Sequence, residues 1–189
     1  PAAPTLCAAG NAPVAITSQS FEGNPFSAGW VASTGATGPN FVPRAWTWSS
    51  LPDRGGWGVF AIDHPAGTCA AGGDNSGVIQ LESPAFTAGT GTRVAFDHWI
   101  AAETTYDGGN LKISVNGGAY TLVPAANFTF NAYVGGPFGA GNPLAGEAAF
   151  SGTDGGSNSG SWGTSVVDLT GLANSGDSVK LRWDFAQDG

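Results

Sequence analysis

Methionine is missing from all 189 residues, only 11% of the side chains are charged, and six Lys and Arg stand against 14 Asp and Glu. That shortage of basic residues leaves a net charge of −8, which repels nucleic acid and anionic membranes, so nucleic acid is not an expected partner. No apolar run approaches the ~20 residues of a spanning helix, so membrane insertion is not expected. No basic segment followed by an apolar one opens the chain, and any export signal is expected to have been removed already. HExxH, a nucleophile elbow and a phosphate loop are also missing. Only two cysteines occur, Cys7 and Cys69. They allow one disulfide in an oxidising compartment, and the sequence leaves open whether they pair.

What is abundant is turn chemistry. Thirty-one glycines and 12 prolines disfavour helices, and the length suits one all-β domain. The opening PAAPTLCAAGNAP reads as a linker or leader over residues 1–13, with a single module over 14–189. From Val14 on, short apolar alternations recur, each closed by Gly, Asn, Asp or Pro, as in consecutive antiparallel strands.

Three strands carry the clearest alternation. RVAFDHWI places Val94, Phe96, His98 and Ile100 on one face, LKISV points Leu111, Ile113 and Val115 inward and Lys112 and Ser114 outward, and SVKLRWDF points Val179, Leu181, Trp183 and Phe185 inward and Lys180, Arg182 and Asp184 outward. Further strands are expected over 14–18, 46–50, 58–62, 78–82, 120–123 and 165–169. Between LKISV and the run from Tyr120, Asn116-Gly117-Gly118 supplies the positive φ angles of a tight hairpin turn. The stretches 34–43 and 131–163 show no periodicity and are expected to be long loops crowding one edge of a sandwich.

Taken in order, FEGNPFSAGW, AWTWSS, GVFAIDHPAG, VIQLESPAF, VAFDHWIAAETTYDGGNLKISVNGGAY, GSWGTSVVDL and DSVKLRWDFAQDG resemble the successive blocks of the MAM-like modules. These stand beside the catalytic domains of secreted bacterial peptidases of the immune inhibitor A type and in related cell-surface anchoring regions. The resemblance runs from about Phe21 to Gly189, and is most specific at Leu81-Glu82-Ser83-Pro84 and at His98, Glu103 and Tyr106-Asp107-Gly108-Gly109. It implies an antiparallel jelly-roll β-sandwich of concanavalin-like architecture. It also implies a secreted or cell-surface location and an accessory role beside a parent catalytic domain. In the family a further short strand follows the segment matched by RWDFAQDG, so the module is expected to lack its final strand.

Three chemistries remain to be weighed. For catalysis, His98 lies on the apolar-facing side of its strand, where a hydrogen-bonded structural histidine is the plainer reading. Glu103 and Asp107 are a conceivable acid pair for glycan cleavage, although almost any acidic sandwich offers such pairs; no catalytic residues are expected. For metal, calcium takes six to eight oxygens from carboxylates and loop carbonyls, and the acidic residues sit mostly at strand ends beside glycines. Related jelly-roll modules often hold a structural calcium. The resemblance suggests as its ligands either Glu22, Asp63 and Asp74 or Glu103 and Asp107, while Asp74 and Asp107 suit Asx turns equally well. For ligand binding, seven tryptophans suggest rings that stack on sugars, and the candidates are Trp46, Trp48 and Trp162, against the alternative that large rings fill the core. The function expected is a non-catalytic module that binds or positions an extracellular polymer, protein or polysaccharide. The alternative is a lectin-like carbohydrate-binding domain.

Overall fold

Residues 4–7, 9–51, 54–62, 73–136, 138–152 and 162–189 are described by the structure, a computed structural model. Its regular elements are strands, apart from two single 3-10 turns at Pro25–Ala28 and Ala125–Asn127. In chain order the strands are β1 (Val31–Thr37), β2 (Thr47–Ser50), β3 (Trp57–Phe60), β4 (Gly77–Glu82), β5 (Phe86–Thr87) and β6 (Arg93–Trp99). After these come β7 (Gly108–Val115), β8 (Thr121–Leu122), β9 (Phe128–Phe130), β10 (Phe150–Ser151), β11 (Trp162–Asp168) and β12 (Ser178–Gln187).

All pairings are antiparallel. One large sheet runs β1-β4-β12-β7-β10, with β5 joined to β12 and β8 to β7; a second runs β6-β11-β9, and β2 and β3 form a hairpin of their own. The side-chain alternation that defines the strands also defines the sandwich. Leu111 and Ile113 of β7 and Val179 and Leu181 of β12 pack against Val167, Val94, Phe96 and Phe128 of the second sheet, burying the apolar faces of both. The hairpin extends that second layer, since Trp46 and Ala61 at its ends pack on Ile79, Phe185 and Ile100. The chain is thus an all-β antiparallel sandwich.

The turn at Asn116-Gly117 forms as its composition requires, with φ of 51° and 75°, and joins β7 to β8. Three expectations are corrected. Residues 14–18 form no strand, and Val14 is 89% exposed. A strand does form over β1, where the first of the long loops was expected to begin at Thr34, and it pairs with β4 as far as Thr37 across an irregularity. Of the outward side chains of β7 and β12, Lys180 is exposed as expected, but several others are not solvated. Asn110, Lys112, Ser114 and Asp184 are all buried, because residues 138–149 lie over this outer face and pack Phe138, Ala149 and Leu144 on Val78 and Ala186.

The strand β12 lies inside the sheet. It pairs with β4 over Arg182 to Gln187 and with β7 over Val179 to Ala186, so no open edge lies beside it. Among the described strands the ends of this sheet are β1 and β10.

Candidate binding surface

The β2–β3 hairpin is closed by a turn in which the Leu51 carbonyl accepts from Arg54 and Gly55 and the Leu51 amide donates to Gly56. Gly55 and Gly56 both take φ of 76°, the left-handed region only glycine enters freely. That register puts Ser50 opposite Trp57 and Trp48 opposite Val59, so Trp48 and Trp57 are diagonal neighbours on one face. Their rings stack with centroids 4.2 Å apart and planes 26° from parallel.

The two rings have different duties. Trp48 is held from below, its Nε1–H donating to the Phe21 carbonyl at 2.8 Å. Trp57 is the outer ring and is 40% exposed. Its backbone amide donates to Glu22 Oε1 at 3.3 Å, which sets a carboxylate beside the exposed indole. Trp46, two residues before Trp48, turns its ring into the core and donates to the Ile79 carbonyl at 3.2 Å. Trp46 and Trp48 are therefore anchors, and the ring they present is Trp57.

Trp162 stands elsewhere, opposite Trp99 on the outer face of the second sheet, and is 37% exposed. The Arg54 guanidinium lies over it, 4.7 Å from the ring centroid, and reaches Asp97 at 2.5 Å. Asp97 also accepts from the Thr164 hydroxyl at 2.6 Å. Partial burial raises the Asp97 carboxyl, but the bonds from Thr164 and Arg54 outweigh it and hold the group below its ordinary value. The hairpin turn is thereby tied to the second sheet, and two exposed indoles flank it.

The carboxylates expected to hold a metal are dispersed. Glu22 belongs to the hairpin. Asp74 makes an Asx turn, its Oδ1 accepting from the Ser76 amide at 2.9 Å, and bonding to Ser76 lowers its carboxyl. Glu103 and Asp107 share one turn, where the Glu103 carbonyl accepts from the amides of Tyr106 and Asp107. Glu103 is exposed, and Asp107 is buried with its Oδ1 accepting from the Asp188 amide. Asp74 and Asp188 line an open cavity of about 400 Å³ with Gly73, Gly141 and Gly189. Among the described residues no three His, Cys, Asp or Glu side chains are grouped so as to hold a metal ion. Asp63 and Cys69 lie outside the described residues, as does His64.

His98 lies where its strand alternation places it, between the rings of Phe96 and Phe150. Its Nε2 is 2.8 Å from Ser165 Oγ, and the Ser165 hydroxyl donates its one proton to the Asn131 carbonyl at 2.7 Å. The same Nε2 also lies 3.4 Å from Asn131 Nδ2, so the ring is held in a local network with Ser165 and Asn131. Ser165 is moreover fully buried. Asn127-Phe128-Thr129, which matches the three-residue pattern of an N-glycosylation acceptor, falls at the start of β9, where the Asn127 side-chain amide donates to the carbonyls of Asp168 and Thr170.

The Trp48–Trp57 stack escaped sequence reasoning because Trp57 follows two glycines and looks like part of a loop. Its signal was present: two tryptophans nine positions apart around a glycine-bearing turn fall on one face of a hairpin.

No family model matches this chain, and neither does any curated protein or solved structure.

Proposed function

We propose that this chain is a non-catalytic binding module, accessory to the catalytic domain of a secreted bacterial hydrolase, and that it holds an extracellular polymer against the hairpin face. The observation that carries the reading is Trp57: a large ring 40% exposed, backed face to face by Trp48 and flanked by the Glu22 carboxylate. An indole held in place by a second indole loses little conformational freedom on binding, and offers an apolar face with a polar acceptor at its edge.

The peptidase setting and the jelly-roll, MAM-like kinship rest on the resemblance of the sequence blocks. A structural calcium rests on the same resemblance, and its test is a rise in melting temperature with calcium that chelator reverses. A second reading, a lectin-like carbohydrate-binding domain, is favoured by the same ring, because a sugar face stacks on an indole while its hydroxyls reach a carboxylate.

The test is retention of the protein on insoluble chitin, cellulose and collagen, with the Trp57→Ala variant beside it. Retention on collagen that the variant loses supports substrate positioning for a peptidase. Loss from a polysaccharide supports the lectin-like reading. Retention on none of the three, or equal retention of the variant, removes the hairpin face as the binding surface.

A further inference from the structure

The outer face of the large sheet holds a feature that a binding role does not explain. Lys112 of β7 and Asp184 of β12 are diagonal neighbours there, since Lys112 pairs opposite Arg182 and Asp184 opposite Asn110. Both are buried, the Lys112 side chain 8% and the Asp184 side chain 0% exposed. Lys112 Nζ lies 3.4 Å from Asp184 Oδ2, an ion-pair contact that sets the amine beside the carboxyl group. On its other side Nζ meets the Glu147 carboxylate at 2.8 Å. Arg182 grips Asp184 with both arms, Nε to Oδ1 at 2.6 Å and a terminal nitrogen to Oδ2 at 3.0 Å.

We propose that Lys112 and Asp184 are a modification site, at which the folded chain joins them by an isopeptide bond between Nζ and Cγ. Each neighbour has a place in the step. Glu147 takes a proton from Lys112, leaving the amine free to attack Cγ, and Arg182 steadies the negative charge that builds on the carboxyl oxygens. The C–N bond forms, one C–O bond breaks, and the oxygen leaves as water. It carries two protons that began on the ammonium group, relayed through Glu147. An ammonium and a carboxylate become one neutral amide and one water, so no oxidant or other reactant is required. Removing two charges from a buried place is itself favourable.

A separate observation points the same way. Asn110, directly across from Asp184, is 2% exposed and spends its amide nitrogen on Glu147 and on the Ala148 carbonyl. Its Oδ1 is buried with no donor among the described residues, an arrangement that folded proteins rarely tolerate. The N–H of an amide between Lys112 and Asp184 would arise beside it and supply that donor. Burial, moreover, raises the Asp184 carboxyl despite its cationic neighbours, which favours the uncharged acid that an amine attacks most readily.

Intact mass of the fully reduced, folded protein decides the matter. The expected value lies below the sequence mass by about 18 Da, one water, and digestion should yield a branched peptide joining the segments around Lys112 and Asp184. Lys112→Arg and Asp184→Ala should each restore the full mass. Should either variant fail to fold, the wild-type mass and branched peptide still decide. Glu147→Gln, on a side chain at the margin of the cluster, should fold and remain at full mass. A folded wild-type protein at its sequence mass overturns the proposal, and so does a water loss mapped to another bond, such as an imide at Asp107-Gly108. Water loss persisting in Glu147→Gln would remove Glu147 from the step.

Discussion

Tyr133 shows how much a single polar atom does in this core. Its hydroxyl donates toward the carbonyls of Val123 at 3.0 Å and Leu111 at 3.2 Å and accepts from the Leu111 amide at 3.3 Å. It thereby serves backbone groups of β7 and of the residue just after β8. Burial pushes its phenol well above the ordinary value, so it stays a neutral donor at any working pH. Tyr133→Phe is expected to cost about 1 kcal/mol, read from urea unfolding as a lower midpoint with unchanged slope. Asp168 gives the pH test. Its carboxyl is held below 3.8, first by its hydrogen bonds from Thr170 and then by Arg93. Its contribution is therefore present above about pH 4 and fades as pH falls through the folded-state value. Asp168→Asn should be less stable than the parent at neutral pH, with the difference narrowing in acid. Asp184 acts in the opposite sense while it remains a free carboxyl. Its raised value means that stability declines as pH climbs from 3.8 through the folded-state value. At this scale the sequence was least legible. Lys112 and Asp184 alternate with apolar residues just as solvated charges do, and strand alternation distinguishes two faces without saying which is wet.

Strands declare themselves when one face is apolar and the run is long, so β6, β7, β11 and β12 were legible; β8 was reached through its hairpin turn, and the short β5 and β10 were not legible. β10 is two residues long and exists only because β7 offers it partners at Gly108 and Gly109. β1 was obscured by its composition: VASTGAT has no large residue after Val31, and its strand character comes from pairing with β4. The hairpin turn after β7 was legible because its chemistry is local. Gly117 sits at φ of 75° with open space around the position of a Cβ, so a side chain there meets backbone strain and no clash. Gly117→Val should destabilise by about 1–2 kcal/mol, measured by chemical denaturation, while Gly117→Asn should cost less. The candidate site was legible only in kind. Trp46 and Trp48 are anchors and Trp57 is the exposed ring of the stack, because which ring faces out depends on what lies beneath the hairpin.

For the molecule as a whole, one core and one charge imbalance set the behaviour. Leu111 is fully buried at the centre of the cluster joining the two sheets. Leu111→Ala should cost about 2–5 kcal/mol and shift one transition seen alike by fluorescence and circular dichroism. Among the described residues, salt bridges are few beside the excess of acidic groups. Screening then relieves more repulsion than attraction. Raising sodium chloride from about 0.01 M to about 0.15 M, which cuts the Debye length from about 30 Å to about 8 Å, should raise the melting temperature. A fall would mean that the ion pairs dominate.

The place of β12 has a consequence for how this chain comes into being. Its neighbours β4 and β7 lie about a hundred and about seventy positions earlier, and between them stands a gap that β12 fills. While a ribosome or a translocation channel still holds residues 178–187, neither neighbour has its shared partner and the apolar faces of both sheets are unsealed. Such late, long-range pairing is slow, and it leaves the nascent chain in need of a holding chaperone.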